Sequence, residues 1–146
     1  MNRRTPKVLL FGHGGSANRG CEAIARSTIN ILRQAFGGGV QVVLASLHVS
    51  EDVEAHIPHI SDYVRRYGEI RRRTPSWVRL QSYKRIMRDH VRAYRFAGYP
   101  TVDYVGKVDV CLSISGDNYC CGTPHWLYVV DRCVRAAGKR LVVWGA

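Results

Sequence analysis

The chain has 146 residues, of which 46% are hydrophobic and 23% charged, and its formal net charge is +11. This length predicts one domain with a core of its own, and the composition is that of a globular protein. No apolar run approaches the roughly 18 residues of a membrane span. The apolar run after the basic start ends at Gly12, which is too short for a secretory signal peptide. We therefore expect a cytoplasmic protein.

Strand-like and helix-like patterns alternate along the first half of the chain. Val8 to Phe11 is apolar throughout, as in a strand covered on both faces. The elements predicted after it are a helix over 24–36 that Gly37–Gly39 ends, a strand over 40–47, a short helix with Ser50 as its N-cap, and a short strand near Tyr63–Val64. In the helix over 24–36, the predicted inward face is Ile24, Thr28, Ile31 and Ala35, with Leu32 beside them.

The same alternation continues in the second half. The predicted elements are a long helix from Ser76 to about Ala97 that Gly98-Tyr99-Pro100 ends, a strand over 108–115, a helix over 125–137 and a strand over 141–144. Trp126 and Trp144 are predicted to lie in the core. Strands that alternate with helices predict an α/β fold, a Rossmann-like, doubly wound parallel sheet. Since the chain ends directly after a strand, we expect a fragment, a truncated open reading frame or one half of a two-domain protein.

Two loops carry the candidate site. The glycine-rich loop from Gly12 to Glu22 follows the first strand, and the segment 115–119 follows the strand over 108–115. If these strands are neighbours where the strand order reverses, the two loops share one ligand crevice. The residues predicted to line it are Gly14, Asn18, Arg19, Gly20, Glu22, Gly116, Asp117, Asn118 and Tyr119, with His13 and His125 as additions.

Each of these residues also has a purely structural interpretation. The glycines can serve tight turning, Asn18 can cap the helix, and Glu22 can interact with the helix dipole. Asp117 and Asn118 can form an Asx turn after their strand. The five cysteines show no metal-ligand spacing, so we expect no metal site.

Two phosphate-binding motifs fit the glycine-rich loop poorly. Gly12 to Ala17 matches G-x-G-x-x-A, but no acidic residue ends the second strand, as dinucleotide binding requires. A Walker A loop would begin at Gly15, but Cys21-Glu22 stands where Lys-Ser/Thr is needed. We therefore expect neither dinucleotide binding nor ATP hydrolysis.

Positive charge is concentrated in the segment 65–95, which holds eleven Arg or Lys residues and two acidic residues. Charge runs commonly form a solvated helix face. This excess is large enough to attract a polyanion, and we favour an acidic lipid surface or an anionic substrate over sequence-specific nucleic acid.

Three motifs in order resemble the polysaccharide pyruvyl transferase family. They are Asn18-Arg19-Gly20-Cys21-Glu22-Ala23-Ile24, Ser115-Gly116-Asp117-Asn118-Tyr119 and Leu141-Val142-Val143-Trp144-Gly145-Ala146. They cover nearly the whole chain, which corresponds to the N-terminal half of such enzymes. The resemblance implies one half of a GT-B-like two-domain transferase.

The resemblance also implies a reaction and roles for residues. The reaction transfers pyruvate from phosphoenolpyruvate, a co-substrate and not a cofactor, to a sugar of a cell-surface polysaccharide as a ketal. Phosphoenolpyruvate would bind mainly to the C-terminal half. This chain would bind the acceptor, a sugar or lipid-linked saccharide, with Asp117 as base and Glu22 as a further acid/base group. The segment Arg65–Arg95 would allow peripheral contact with an anionic membrane.

Two other functions remain open from the sequence. One is the nucleotide-sugar-binding half of a GT-B-like glycosyltransferase. The other is a basic binding module without chemistry, directed at an anionic membrane or a nucleic acid.

Overall fold

The computed structural model describes residues 5–114 and 125–144. It contains a five-stranded sheet flanked by helices. The strands are β1 (Lys7–His13), β2 (Gln41–Ser46), β3 (Asp62–Arg65), β4 (Val110–Ile114) and β5 (Arg140–Trp144). The helices are α1 (Arg19–Phe36), α2 (Val49–Glu54), α3 (Pro75–Gln81), α4 (His90–Ala97), α5 (Tyr99–Val105) and α6 (His125–Ala136), with a π-helical turn over Ser82–Ile86.

All neighbouring strands pair in parallel, in the order β3-β2-β1-β4-β5. This is the Rossmann-like, doubly wound α/β sheet that the alternating pattern predicts. β1 is central, with Leu9 and Phe11 in the core on one face and Val8 and Leu10 in the core on the other. Burial on both faces explains why the first strand is apolar at every position from 8 to 11.

Helix α1 begins five residues earlier than its periodicity predicts. The Asn18 side chain caps it by accepting hydrogen bonds from the backbone N–H groups of residues 20 and 21. The helix ends as predicted at Gly37, whose φ of 83° lies in the left-handed region that favours glycine. Its buried residues are Ala25, Thr28, Ile29 and Leu32. Thr28 and Leu32 are buried as predicted, but Ile31 is exposed. The buried face is therefore rotated slightly from the predicted one, toward Ala25 and Ile29.

Helix α2 begins before the predicted N-cap. Its N-cap residue is His48, and Ser50 lies inside the first turn. The shift arises because β2 ends at Ser46, whose hydroxyl accepts a hydrogen bond from the His48 N–H at 3.0 Å. The chain therefore turns into α2 within two residues of the strand.

The prediction of a single helix from Ser76 to Ala97 was wrong. The segment forms α3, the π-helical turn and α4 instead. Arg88 has a φ of 49°, which breaks helical geometry. Asp89 then caps α4 through a 2.9 Å hydrogen bond from the Arg92 N–H. An aspartate competes with helical backbone bonding in mid-helix and favours an N-cap, which explains the interruption.

Two further expectations for the second half are corrected. Gly98 ends α4, but the chain continues into α5, with Pro100 in its first turn. Trp126 is buried as predicted, whereas Trp144 is 39% exposed. β5 is an edge strand of the described sheet, so Trp144 has a sheet neighbour on one side only. None of the described helices combines the length and apolar character needed to cross a bilayer.

Candidate functional site

The strand order places a switch point between β1 and β4. β1 pairs with β4 on one side, with Phe11 opposite Ser113, and with β2 on the other, with His13 opposite Ser46. The expectation that the first strand and the strand over 108–115 are neighbours is therefore confirmed. Loops that leave the carboxyl ends of two such strands diverge and open a crevice there.

The glycines of the loop after β1 differ in what the fold demands of them. Gly12 and Gly15 have φ values of 92° and 111°, a conformation that other residues adopt only with strain. A Cβ at Gly15 would also lie 3.1 Å from a carboxylate oxygen of Glu51. Gly14 is exposed, and among the described residues a Cβ there would meet only the Cys21 sulfur, at 3.6 Å. The backbone thus requires Gly12 and Gly15, whereas no described neighbour requires a glycine at position 14.

A buried carboxylate anchors this loop from beneath. Oδ1 of Asp52, in α2, accepts hydrogen bonds from the backbone N–H of Ser16 at 2.9 Å and from its hydroxyl at 2.6 Å. Nε2 of His13 lies 2.9 Å from the same oxygen. Asp52 is fully buried, and His13 is 1% exposed. One carboxylate oxygen therefore holds both ends of the turn from His13 to Ser16.

The anchor favours an ionised carboxylate. Burial by itself raises the pKa of Asp52. Hydrogen bonds from His13 and Ser16 contribute most to outweighing burial, and they hold the pKa of the carboxyl below its ordinary value of 3.8. Since an ionised carboxylate only accepts, Nε2 of His13 carries a hydrogen and donates it. His13 thus lies under the loop as part of its support, rather than lining the crevice as expected.

The predicted residues at the start of α1 have structural partners. Asn18 accepts at 2.9 Å from the Gly20 N–H, so its interpretation as the N-cap is confirmed. Glu22 pairs with Arg26 at 2.8 Å and with Arg19 at 3.4 Å. Arg26 in turn donates at 2.6 Å to the carbonyl of Ala55, just after α2. Glu22 therefore helps to fasten α1 to the end of α2.

These contacts also affect the chemistry available to Glu22. The hydrogen bond from Arg26 is the main reason why the pKa of Glu22 lies below its ordinary value. A carboxylate of lowered pKa is a weaker base and suits ion pairing or hydroxyl binding. Together with Arg19, Glu22 lines a cleft of about 580 Å³ between α1 and α2. Its catalytic role stays a prediction.

Arg66 is a candidate that the sequence reasoning missed. It directly follows β3, and its Nη2 donates at 2.9 Å to the carbonyl of His13, the last residue of β1. Its guanidinium lies 5.8 Å from the ring centre of Trp126, at the start of α6. Cys21, at the start of α1, is near enough to have a small effect on the pKa of Arg66. Arg66 therefore reaches into the space between the helices that follow β1 and β4.

Two buried donors in this place lack partners. Neither Nε of Arg66 nor Nε1 of Trp126 has a hydrogen-bond partner among the residues described. The ring of Tyr67 packs edge-on against Trp126, with centroids 5.1 Å apart. Burial lowers the pKa of Arg66, yet an arginine stays charged at neutral pH. This part of the structure thus holds a positive charge whose Nε is unpartnered among residues 5–114 and 125–144, and a guanidinium matches a carboxylate or phosphate.

The remaining predicted residues are placed as follows. His125 stacks on His90 in α4, with ring centroids 5.3 Å apart, so it lies beside α4 at the start of α6. Gly116, Asp117, Asn118 and Tyr119 lie outside the described residues. In the ranges 5–114 and 125–144, no group of three or more His, Cys, Asp or Glu side chains could hold a metal ion.

The signal for Arg66 was present in the sequence but was assigned to another feature. Arg65 and Arg66 follow the short strand predicted near Tyr63–Val64, and both were counted in the basic segment. The strand end separates them: Arg65 is exposed and pairs with Glu69, whereas Arg66 turns inward. A basic residue at the carboxyl end of a parallel strand would have been a sufficient reason to single it out.

Comparisons with protein-family models, with curated proteins and with solved structures gave no match to this chain. The polysaccharide pyruvyl transferase resemblance therefore rests on the three sequence motifs, and the geometry of the crevice stands independently of it.

Proposed function

We propose that the crevice between β1 and β4 binds an anionic saccharide, and that the chain is the acceptor-binding half of a ketal pyruvyl transferase. The observation that carries the proposal is Arg66. It is a partly buried cation at the carboxyl ends of the central strands, held by the carbonyl of His13, and its Nε has no partner among the described residues. The sequence motifs supply the identity of the reaction.

In the proposed reaction, two hydroxyl oxygens of the acceptor form bonds to C2 of phosphoenolpyruvate. The bond from C2 to the phosphate oxygen breaks, and the methylene carbon takes up a proton to become the methyl group of the ketal. One hydroxyl proton is thus accounted for by the methyl group and the other by the departing phosphate. Phosphoenolpyruvate would be held mainly by a second half that follows this chain.

The chain's own residues would bind and orient the acceptor. Arg66 would hold a carboxylate or phosphate of the saccharide through charge-assisted hydrogen bonds. The exposed backbone at Gly14 would allow a sugar to approach closely. Asp117 would accept a hydroxyl proton, and Asn118 would orient the sugar. The proposed acceptor is a saccharide linked to a membrane lipid through phosphate, and this phosphate is an anion that Arg66 would bind.

Binding of anionic sugars to the full chain tests the crevice. We would titrate glucose 1-phosphate, glucuronic acid and neutral glucose while following tryptophan fluorescence, because Trp126 lies beside Arg66. The charged sugars are expected to bind and glucose to bind more weakly. Loss of a hydrogen bond to a charged group costs about 1.5–3 kcal/mol, so Arg66→Gln should weaken binding roughly 10- to 150-fold.

The matched control is Arg72→Gln, a change at an exposed arginine outside the crevice. Arg66→Lys keeps the charge but not the fork of donors, and circular dichroism would verify that each variant folds. Equal affinity of Arg66→Gln and Arg72→Gln would exclude Arg66 as the anion-binding residue. The transferase identity needs a second assay, acceptor-dependent phosphate release from phosphoenolpyruvate by a protein that includes the second half. Without such release, the pyruvyl transfer proposal fails even if sugars bind.

A further inference from the structure

Helices α3 and α4 and the π-helical turn between them form a hairpin, residues 71–97, which we term the basic hairpin. α4 packs on α6, whereas α3 packs mainly against the π-helical turn and α4. The arms of the hairpin are α3 and α4. Arg79 in α3 lies over the ring of Phe96 in α4 at 5.2 Å, and Tyr83 in the π-helical turn packs on the same ring with centroids 6.1 Å apart. The hairpin thus has its own internal packing and is attached to the sheet domain through α4.

The hairpin carries most of the net positive charge of the chain, eight of +11. Nine Arg or Lys residues and one acidic residue, Asp89, lie between positions 71 and 95. Asp89 is already paired with Arg92 at 3.2 Å. The basic surface is smaller than the segment 65–95 defined from the sequence. Arg65 is paired with Glu69, and Arg66 donates to the carbonyl of His13, so neither belongs to the hairpin. The remaining excess of eight positive charges is far too large for internal pairing within the hairpin.

Large apolar side chains are exposed among these charges. Ile86 is 80% exposed and Met87 50% exposed at the turn between the arms. Arg85 and Arg88 flank them, and Val78 in α3 and Val91 in α4 are exposed as well. Exposed apolar residues bordered by cations are the pattern of segments that lie in the headgroup region of an anionic bilayer.

We propose that the basic hairpin docks on an anionic lipid surface, with Ile86 and Met87 inserted at the headgroup boundary. Charge complementarity supplies the long-range attraction, and burial of the two apolar side chains adds a term that a nucleic acid would not provide. Three of the four aromatic residues of the hairpin pack on other rings, since Tyr83 packs on Phe96 and Tyr94 stacks near His125. Only Trp77 is left without such a ring contact among the described residues, which gives nucleic-acid bases little aromatic surface to stack on. This proposal does not depend on the function of the crevice.

Co-sedimentation of the full chain with vesicles tests the proposal. Phosphatidylcholine vesicles would be compared with vesicles that contain about one third phosphatidylglycerol. We expect binding to the anionic vesicles only, weakened by added salt because surface charges are screened beyond about 8 Å at physiological ionic strength. Each cation near the surface contributes about fivefold to partitioning, so Arg85→Gln with Arg88→Gln should weaken binding about 30-fold.

The apolar contribution has its own variant. Ile86→Asn should weaken binding about tenfold, and its 80% exposure means that the fold should tolerate the change. Matched controls are Phe36→Asn, at an exposed apolar residue of α1, and Arg135→Gln with Arg140→Gln, at cations of α6 and β5. Both controls should bind as the parent chain does.

Three outcomes would overturn the proposal. The first is absence of binding to anionic vesicles at low salt. The second is equal binding by Ile86→Asn and the parent chain, which would mean that charge attraction alone accounts for the binding. The third is tighter binding to a short duplex DNA or RNA than to vesicles at the same ionic strength, which would assign the basic hairpin to nucleic acid.

Discussion

Replacement of Asp52 by asparagine tests the anchor beneath the glycine-rich loop. The change keeps the shape of the side chain and removes its charge. Oδ1 of Asp52 accepts from the N–H and hydroxyl of Ser16 and from the His13 ring, and Oδ2 has no partner among the described residues. In Asp52→Asn the three donors meet a neutral acceptor, and an NH₂ group takes the place of one carboxylate oxygen.

The magnitude follows from these three bonds. A hydrogen bond to a charged group contributes about 1.5–3 kcal/mol and a neutral one about 0.5–1.5, so each bond loses roughly 1 kcal/mol. An unpaired buried NH₂ costs about 1–3 kcal/mol more, and relief from burying a charge offsets a similar amount. We therefore expect Asp52→Asn to lower the free energy of unfolding by about 3 kcal/mol at neutral pH. That is a large share of the stability of about 5–15 kcal/mol that is usual for a domain.

Urea unfolding of the full chain measures this difference, with Glu54→Gln as the matched control at an exposed carboxylate of α2. The control should change stability by less than about 0.5 kcal/mol. Because the pKa of Asp52 is lowered in the fold, its contribution is complete above the ordinary value of 3.8 and is lost as pH falls through the folded value. The difference between the parent chain and Asp52→Asn should therefore be constant above about pH 5 and shrink in acid. A difference below about 1 kcal/mol at pH 7, or one that persists undiminished in acid, would refute the role of Asp52 as an ionised anchor.

Three further changes test the loop, the packing and the thiols. In urea unfolding, Gly14→Ala should leave the free energy of unfolding unchanged or raise it by up to about 1 kcal/mol. Gly15→Ala should lower it by at least about 1 kcal/mol. Equal effects of the two changes would contradict the distinction between these glycines. At Gly98 a Cβ would lie 2.2 Å from a ring carbon of Trp126, so Gly98→Ala should lower the unfolding free energy by about 3 kcal/mol, and an unchanged midpoint would show that the ring can move away. Burial raises the pKa of the Cys111 thiol to about 12, so iodoacetamide at pH 8 should leave it unlabelled in the native chain and label it in urea, as peptide mass spectrometry would show. Rapid native labelling of Cys111 would mean that β4 opens readily.

The sheet could be predicted from the sequence because the patterns that indicate strands and helices are local and recur along the chain. The apolar strand of residues 8–11 and the alternation of strands with helices predicted a parallel sheet. The candidate site was conditional on β1 and β4 being neighbours, and the structure shows that they pair. The prediction of one long helix over 76–97 was wrong because helical periodicity continues across the break. Asp89 caps a new helix there, and a cap inside a periodic segment resembles an ordinary polar residue of a helix face.

The site was harder to predict because its defining contacts span long distances in sequence. Ser16 and Asp52 are separated by 36 residues, and Arg66 and His13 by 53. In the sequence, Asp52 follows the predicted N-cap Ser50 by two residues, and acidic residues are common in the first turn of a helix without any partner. Only the packing of α2 under the loop after β1 turns that carboxylate into an anchor, and no local pattern carries this information.

The loop after β1 has two sides with different physical roles. Its inner side is fixed by the buried Asp52, which holds His13 and Ser16, and by two glycines whose φ values no other residue adopts without strain. Its outer side exposes Gly14, where a side chain would clash with none of the residues that the structure describes. A rigid inner side with an open outer side is the arrangement that holds backbone groups ready for a ligand, since the ordering cost is met during folding rather than on binding. Together with the charge of Arg66 behind the same strand end, this arrangement supports our proposal that an anionic ligand binds here.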